Sequence, residues 1–395
     1  MIKIKVCVIC FNLKEENLRK QPWRYIFEIC RGCMEHGIDT VLITNGDQRT
    51  KYVERIRIRT VKKLQSFFQD HQDVLNIIKE ENPDVVIKLL GTTNFLSLKC
   101  KIDKPLIGIL TSPLYTFREV MNVGFKELFH HFKYLYVHII GSLIPRFFIR
   151  RSGNFFDYIV VLSNTNRRKL LDLKIKTNVI VIPPGIDEYF FEKVDEDKKY
   201  EILKQINPEN VPIILYFASP LTLRGTDTLV KSFASVRKKF SCKLLILSRQ
   251  DDKESNNEVK YLIKIASRLN VSDSFVVIND LLTPTEINNY LSIANIICLP
   301  FKIVFSDVPL TIIEAMASGK TVISTNIASI PEILDKYGLI IKPNNEYELR
   351  DMIIKALNNK NKIRLTSDQI IKQYPHWKDF RENFIEFILK DVAKK

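Results

Sequence analysis

The sequence predicts an α/β protein with two doubly wound parallel-sheet domains, one in each half of the chain, that face each other across a cleft. Short apolar runs alternate with amphipathic helical patterns along nearly the whole chain, which is typical of parallel sheets covered by helices on both faces. The alternation is interrupted once, near residue 188, and then starts again. A length of 395 residues also exceeds the size at which a single hydrophobic core usually stops growing.

The predicted strands of the first half are short apolar runs. They span residues 4–11, 40–44, 85–89, 106–110, 158–162 and 179–182. Two helical patterns between them are clear, at 23–36 and 67–81. The first ends before Gly37, as helices often end before a glycine, and the second is stopped by Pro83.

The boundary between the domains is predicted where the alternation stops. Residues 179–187 read VIVIPPGID, and a charged stretch follows before the next strand begins at residue 213. We therefore predict a first domain over 1–188 and a second domain over 189–373. A C-terminal helix within 374–395 is expected to pack back on the first domain.

The second half repeats the pattern. Its predicted strands are 213–217, 243–247, 275–278, 296–299, 321–324 and 339–341, and its predicted helices are 226–239, 259–269, 284–293, 311–317, 347–358 and 377–392. Two Rossmann-like domains joined by a short linker place the carboxyl ends of their strands on facing edges. Sheets of this class bind ligands at those edges.

Composition and charge narrow the function classes. An apolar share of 46% and a charged share of 27% are those of an ordinary globular protein. The net charge of +15 lies mainly in residues 1–190, which hold 30 Lys+Arg against 19 Asp+Glu. Such a surface attracts phosphates, anionic lipid headgroups or nucleic acid, or is simply lysine-rich and solvated. Because no nucleic-acid recognition motif is present, we expect no nucleic-acid partner.

The N-terminus carries no signal-peptide pattern. The longest strongly apolar stretch, 134–145, is interrupted by His138 and Gly141 and is too short to span a bilayer. We therefore expect a cytoplasmic protein, either free or peripheral on the inner face of the cell membrane.

Two C-x-x-C pairs superficially resemble a zinc-ribbon spacing: Cys7/Cys10 and Cys30/Cys33. The first pair lies on a predicted strand, where positions i and i+3 point to opposite faces. The second pair lies in a predicted amphipathic helix, where small thiols pack well. We predict that all four pack in the core and that the protein has no metal site.

Residues 125–151, FKELFHHFKYLYVHIIGSLIPRFFIRR, place aromatic and apolar side chains at helical spacing. Five basic residues are interspersed: Lys126, Lys133, Arg146, Arg150 and Arg151. The segment is either a core-facing amphipathic helix or a basic surface that rests on an anionic membrane leaflet. Its three histidines are expected on the faces of this helix rather than on a metal: His130, His131 and His138.

The segment SDVPLTIIEAMASG, residues 306–319, places a loop directly before a predicted helix that starts near Leu310. The free backbone N–H groups and the positive end of the helix dipole form a binding site for a diphosphate. Glu314 lies about one turn inside this helix. A carboxylate there suits hydrogen bonding to vicinal hydroxyls, although it could also only favour the helix N-terminus electrostatically.

The block 301–334, FKIVFSDVPLTIIEAMASGKTVISTNIASIPEIL, resembles the donor-site signature of the retaining glycosyltransferases of family 4, which have the GT-B fold. Three further segments agree in order and spacing, at 179–187, 215–233 and 276–300. The resemblance covers the whole second half. It reaches the first half only through the first strand and the segments EHGIDTVLIT and DYIVVLSNTNRRKLL.

The resemblance implies transfer of a sugar from a nucleoside diphosphate sugar to a hydroxyl acceptor, with retention and without a metal or other cofactor. It assigns the donor ribose to Glu314. It assigns the donor diphosphate to Arg224, whose fixed charge stabilises the departing phosphate; the alternative is a surface arginine. It makes 189–373 the donor-binding domain and 1–188 the acceptor-side domain. Relatives of this type often use lipid-linked glycans or growing polysaccharides as acceptors.

The remaining candidate site residues form two groups. Asp307 completes the catalytic set, and the donor side adds Ser306, Val308, Pro309, Leu310, Thr311, Gly225 and Ser219. The acceptor side is expected to include Gln21, Pro22, Trp23 and Ser112.

The sequence departs from the family pattern at four places. Ser306 stands where a first glutamate is usual, so that Asp307 is expected to contact the donor sugar in its place. Ala218 stands where a second basic residue is usual. The glycine pair after the first strand is absent, and Thr111 and Ser112 replace a frequent histidine.

These departures leave alternatives open. The protein could be a catalytically impaired relative that binds sugar nucleotides. It could also be an epimerase or a phosphorylase on the same fold. Few acid–base residues are evident in the first half, and no cofactor lysine signature is present. A non-catalytic protein that binds nucleic acid or membranes is the alternative from another class.

Overall fold

The first half of the chain forms an eight-stranded sheet and the second half a six-stranded sheet, in a computed structural model that describes residues 4–46, 52–64, 71–96, 102–248, 253–358 and 366–392. We call the first sheet and its helices the first lobe, and the second sheet and its helices the second lobe. The predicted fold class, two parallel α/β sheets, is confirmed.

The first sheet has the strand order β3-β4-β2-β1-β5-β6-β7-β8. Its strands are β1 Lys5–Ile9, β2 Asp39–Thr44, β3 Tyr52–Val53, β4 Ile56–Thr60, β5 Val85–Leu90, β6 Leu106–Leu110, β7 Tyr158–Val161 and β8 Asn178–Val181. Every pairing is parallel except that of β3 with β4. The strand order reverses at β1 and β5, which opens a crevice at their carboxyl ends.

Seven helices follow these strands in the described part of this half. They are α1 Trp23–Glu35, α2 Gln72–Glu81, α3 Phe117–Met121, α4 Phe125–His130, α5 Phe132–Leu143, α6 Arg146–Gly153 and α7 Asn164–Asp172. Residues 67–70 of the predicted second helix lie outside the described residues. The single helix predicted over 125–151 is instead three, because the chain turns at His131 and again at Pro145.

The second sheet is parallel throughout, with the order β11-β10-β9-β12-β13-β14. Its strands are β9 Ile213–Phe217, β10 Lys243–Leu247, β11 Phe275–Ile278, β12 Ile296–Leu299, β13 Thr321–Thr325 and β14 Leu339–Ile341. The order reverses at β9 and β12. The loops after these two strands therefore lie side by side at the carboxyl edge.

The helices of the second half are α8 Glu196–Ile206, α9 Thr226–Arg237, α10 Lys253–Arg268, α11 Pro284–Ile293, α12 Leu310–Ala317, α13 Ile330–Leu334, α14 Glu346–Asn358, α15 Ser367–Gln373 and α16 Trp377–Phe387. Asp195, Thr283 and Thr366 cap the starts of α8, α11 and α15 with their side chains. Before α11, for example, the Thr283 hydroxyl accepts the backbone N–H of Glu286, whose carboxylate accepts the N–H of Thr283.

The last helix, α16, packs against α1 of the first lobe. The ring centroids of Tyr25 and Phe380 lie 4.8 Å apart, and Arg381 Nη1 donates to the buried Glu28 carboxylate at 2.6 Å. The start of α16 packs so closely against Gly185 that a Cβ atom there would lie 2.8 Å from the Trp377 Cα atom. The chain therefore passes from the second lobe back to the first at this point.

The described cysteines are buried free thiols. Cys7 and Cys10 belong to separate core clusters on opposite faces of the first sheet, while Cys30 and Cys33 lie on the buried side of α1. Burial raises the pKa of Cys7 and of Cys33 to about 12. Their predicted packing in the core is confirmed; Cys100 lies outside the described residues.

Candidate functional site

The loop between β9 and α9 holds Arg224 at the carboxyl edge of the second sheet. A short 3₁₀ turn, Thr222–Arg224, leads into Gly225, which has a φ of +77°. A Cβ atom on Gly225 would lie 1.8 Å from the carbonyl oxygen of Pro300, so only glycine fits. This close approach fixes Arg224 against the loop that follows β12.

The guanidinium of Arg224 lies among aromatic rings. Its Cζ atom is 4.6 Å from the ring centroid of Phe305 and 5.3 Å from that of Phe301. Its Nη1 atom is 3.5 Å from the carbonyl oxygen of Ile303, and its buried Nε has no hydrogen-bond partner. Burial lowers the pKa of Arg224, but a guanidinium remains charged. The Nε–H group of Arg224 is therefore free to donate to an anion that binds here.

The first lobe completes this aromatic enclosure. The His138 ring from α5 stacks on Phe305 with a centroid distance of 5.6 Å, and Tyr115 packs edge-on against His138. The Tyr115 hydroxyl donates to the carbonyl oxygen of Val304 at 3.0 Å. Burial, together with the charge of Arg224, lowers the pKa of His138 to about 4, so its imidazole is neutral at physiological pH.

The second donor-side element is the loop that precedes α12. Val308 and Pro309 are buried, while Ser306, Leu310 and Thr311 are half-buried. Pro309 occupies the N-cap position of α12 and has no side chain that could cap the helix. Glu314 is buried within α12. Ser219, in the loop after β9, is half-buried, and its carbonyl oxygen accepts the Tyr216 hydroxyl.

Asp307 joins the two lobes in this structure. Its carboxylate Oδ2 accepts the hydroxyl of Ser163 at 2.6 Å, and its backbone N–H donates to the carbonyl oxygen of Thr111 at 2.7 Å. Its Oδ1 has no hydrogen-bond partner. Burial raises the pKa of Asp307 to about 7. Asp307 is fully buried in this arrangement, and its contact with the donor sugar stays a prediction.

The acceptor-side candidates lie in two loops at the carboxyl edge of the first sheet. Gln21 and Pro22 precede α1, and the Trp23 indole N–H donates to the carbonyl oxygen of Phe11 at 2.8 Å. Ser112 follows β6. The side-chain amide of Gln21 and the hydroxyl of Ser112 are buried without hydrogen-bond partners. Such groups are available to a substrate hydroxyl.

A cleft of about 590 Å³ lies between the lobes. It is lined by Tyr115, Thr116, Arg118, Glu119 and Asn122 from the first lobe and by Lys302, Asn326, Ile327, Lys342 and Pro343 from the second. None of the predicted site residues is in this lining. Sequence reasoning missed Lys302, Asn326 and Lys342, although each follows a second-sheet strand and two of them are basic.

A buried polar cluster closes the lobes beside this cleft. Lys302 Nζ lies 2.9 Å from Glu127 Oε1 and 2.8 Å from Asp227 Oδ1. The Thr222 hydroxyl donates to Glu127 Oε2 at 2.7 Å, so His131 Nε2, 2.8 Å away, must donate to that hydroxyl. Burial lowers the pKa of His131. Glu127 and His131 thus face the second lobe.

Three side chains near this cluster bring potential metal-ligand atoms within 4.8 Å of one another: His130, His131 and Glu258. His130 Nε2 lies 3.2 Å from Glu258 Oε1, which makes the pair a hydrogen bond across the lobes. The sequence did not indicate this grouping, because α4 and α10 are far apart in the chain. We assign it no role beyond joining the lobes.

Comparisons with known proteins agree with this architecture. An uncharacterized glycosyltransferase of Methanocaldococcus jannaschii is 24% identical in an alignment of 360 positions that covers 80% of each chain. A glycosyltransferase structure from Rickettsia africae matches with a TM-score of 0.70 at 19% identity, over 99% of this chain and 100% of that one. The Anabaena protein HepE, solved with UDP and glucose, matches with a TM-score of 0.68 at 13% identity, over 98% and 99%.

Two family models match the chain. The one described as "Glycosyltransferase Family 4" matches residues 23–189, and the one described as "Glycosyl transferases group 1" matches residues 197–374. The first match covers most of the first lobe and the second covers most of the second lobe. The chain therefore belongs to the family 4, group 1 glycosyltransferases, and its two facing α/β lobes are those of the GT-B fold.

Proposed function

We propose that this glycosyltransferase moves a sugar from a nucleoside diphosphate sugar to a hydroxyl group, with retention at the anomeric carbon. The observation that carries the proposal is the position of Arg224. It precedes α9 at the carboxyl edge of the second sheet, beside the loop that leads into α12. Both loops lie at the reversal of strand order, where sheets of this class bind ligands.

The proposed donor site uses charge and backbone N–H groups. As the bond between the sugar and the diphosphate breaks, the electron pair stays on the phosphate oxygen. Arg224 and the backbone N–H groups of Val308, Leu310 and Thr311 stabilise this charge. The buried Glu314 holds the ribose hydroxyls. HepE, solved with UDP and with UDP-glucose, supports a nucleotide sugar as the donor. In this proposal the diphosphate needs no metal ion.

We place the acceptor on the first lobe and propose that it is a lipid-linked glycan or a polysaccharide at a membrane surface. The support comes from α4, α5 and α6, which expose an apolar face. Its three most exposed phenylalanines are Phe125 at 73%, Phe129 at 82% and Phe132 at 58% of their full surface. Further along lie Tyr136, Ile140, Leu143 and Phe147. A soluble surface rarely gathers so many large apolar side chains without a partner.

The charge around this face fits an anionic bilayer. Arg146, Arg150 and Arg151 lie on α6, next to the exposed Leu143 and Phe147. Helices with an aromatic face and flanking basic residues lie in the plane of a membrane interface. No helix in the described part of the chain has the length and apolar character needed to cross a bilayer. We therefore propose peripheral binding to the inner face of the cell membrane.

Sugar transfer tests this function directly. Radiolabelled UDP-, GDP-, ADP- and CDP-sugars are incubated with the enzyme and a membrane lipid extract. One donor should label a lipid product, with the anomeric configuration of the donor and with an unchanged rate in EDTA. Arg224→Ala should slow transfer by about 10²–10³-fold, as loss of a charge-stabilising group does. Arg237→Ala, at the opposite end of α9 and paired with Asp273, is the matched control.

Normal transfer by the folded Arg224→Ala variant would exclude the assigned role of the arginine. A product of inverted configuration would exclude retention. Loss of activity in EDTA would contradict a metal-independent donor site.

A further inference from the structure

Lys302, in the loop after β12, carries a charged group that the fold buries almost completely. Its side chain is only 3% exposed, and its ammonium lies between the carboxylates of Glu127 and Asp227. Burying an ammonium costs several kcal/mol unless close partners compensate. The position of this cation is therefore specified by both lobes, since Glu127 belongs to the first and Asp227 to the second.

Lys302 is also a direct neighbour of the Arg224 loop. Its backbone N–H donates to the carbonyl oxygen of Leu223 at 3.1 Å, and Arg224 Nη1 contacts the carbonyl oxygen of the next residue, Ile303. On its other side, Lys302 lines the cleft between the lobes. Lys302 thus lies between the proposed diphosphate site and the cleft.

Glu127, the first-lobe partner of Lys302, accepts hydrogen bonds from groups of the kind that bind a phosphate. The Glu127 carboxylate accepts from the Lys302 ammonium at 2.9 Å and from the Thr222 hydroxyl at 2.7 Å, just before the N-terminus of α9. An ammonium with a neighbouring hydroxyl is a common set of donors for phosphate oxygens. Burial raises the pKa of Glu127, but Lys302 and Thr222 lower it more, so that the group remains a carboxylate.

We propose that Lys302 is the second cation of the donor diphosphate site and that Glu127 fills its anion position when no donor is bound. This inference rests on the proposed function. It accounts for Ala218, which stands where the family pattern has a second basic residue. A donor displaces Glu127 as the lobes separate, while Asp227, on the same lobe as Lys302, keeps the ammonium in place.

Removing the charge of Glu127 tests the displacement. Binding of UDP, GDP, ADP and CDP to the wild type is measured by calorimetry. The nucleotide that binds most tightly is then used for the variants. Glu127→Gln keeps the shape of the side chain but no longer competes as an anion. It should lower the Kd about tenfold, which corresponds to the net contribution of one hydrogen bond to a charged group. Glu254→Gln is the control, because Glu254 contacts Tyr134 and Lys133 across the lobes without contacting Lys302.

Removing the cation tests the phosphate contact. Lys302→Met should raise the Kd of the diphosphate about ten- to a hundredfold and that of the matching monophosphate less than about threefold. A merely structural role would weaken both nucleotides equally. Lys302→Met removes the ammonium that lies between the carboxylates of Glu127 and Asp227. The double variant E127Q/K302M, checked for folding by circular dichroism, removes one of these charges as well and should show the same diphosphate-specific loss.

The outcomes separate the inference from the function on which it rests. If the wild type binds a diphosphate but Glu127→Gln binds no tighter than Glu254→Gln, Glu127 does not occupy the site. If E127Q/K302M loses diphosphate and monophosphate equally, Lys302 is not a diphosphate ligand. If no nucleoside diphosphate binds the wild type, the proposed function itself fails.

Discussion

Asp307 is a buried acid of the second lobe whose carboxyl group contacts the first lobe. Its Oδ2 atom accepts the hydroxyl of Ser163, which also caps α7. Its Oδ1 atom is buried without a hydrogen-bond partner. The carboxyl group therefore lies in an environment that disfavours its ionised form.

The raised pKa of Asp307 makes stability depend on pH. Because burial disfavours the ionised carboxylate in the folded protein, the contribution of this group is fully present below its unfolded pKa of 3.8 and is lost as pH rises to about 7. With about 1.4 kcal/mol for each pKa unit, the loss reaches at most about 4 kcal/mol. Urea denaturation from pH 4 to pH 8 measures the difference in the free energy of unfolding between wild type and Asp307→Asn. A constant difference in the free energy of unfolding across this range would contradict the assigned environment.

At the scale of elements, the sequence predicted buried strands well and half-exposed elements poorly. Strands such as β9 and β12 are continuous apolar runs, and their predicted bounds match the observed ones. The edge pair β3 and β4 was missed because the strands were predicted from continuous apolar runs. IRIRT instead alternates apolar and charged side chains, a pattern that is typical of a half-buried strand. Helix α8 was missed because its charged sequence is typical of a linker; Asp195 caps its start.

The exposed face of α4, α5 and α6 carries a prediction about membranes. Phe129→Glu and Phe132→Glu place charges where aromatic rings would enter the interface. Each should weaken binding to vesicles with anionic lipids by about tenfold or more, since full burial of one large apolar side chain is worth about 1.5–3 kcal/mol. Sedimentation with vesicles of phosphatidylcholine and phosphatidylglycerol measures the fraction of protein bound.

Leu281→Glu is the control for this experiment, since Leu281 is also highly exposed but lies on the second lobe. It should bind vesicles as the wild type does. If both phenylalanine variants also bind like the wild type, this face does not contact the membrane.

At the scale of the whole molecule, the two lobes share one closed arrangement. The Arg224 enclosure, the Lys302 cluster and the Asp307–Ser163 hydrogen bond all join the first lobe to the second. The sequence predicted two sheets and facing edges from periodicity alone. It did not predict how closely the edges meet, because contacts between lobes leave no periodic pattern. If the donor diphosphate binds beside Arg224 and Lys302 as proposed, the lobes must separate to admit it.

Nucleotide binding by the second lobe is the central claim, and a thermal-shift screen tests it most directly. Wild type, Arg224→Ala and Glu314→Ala are heated with UDP-, GDP-, ADP- and CDP-sugars, since a ligand that binds only the folded protein raises its Tm. We expect one donor to raise the Tm of the wild type by several degrees and neither variant to respond. No shift with any donor, or equal shifts in all three proteins, would contradict the assignment.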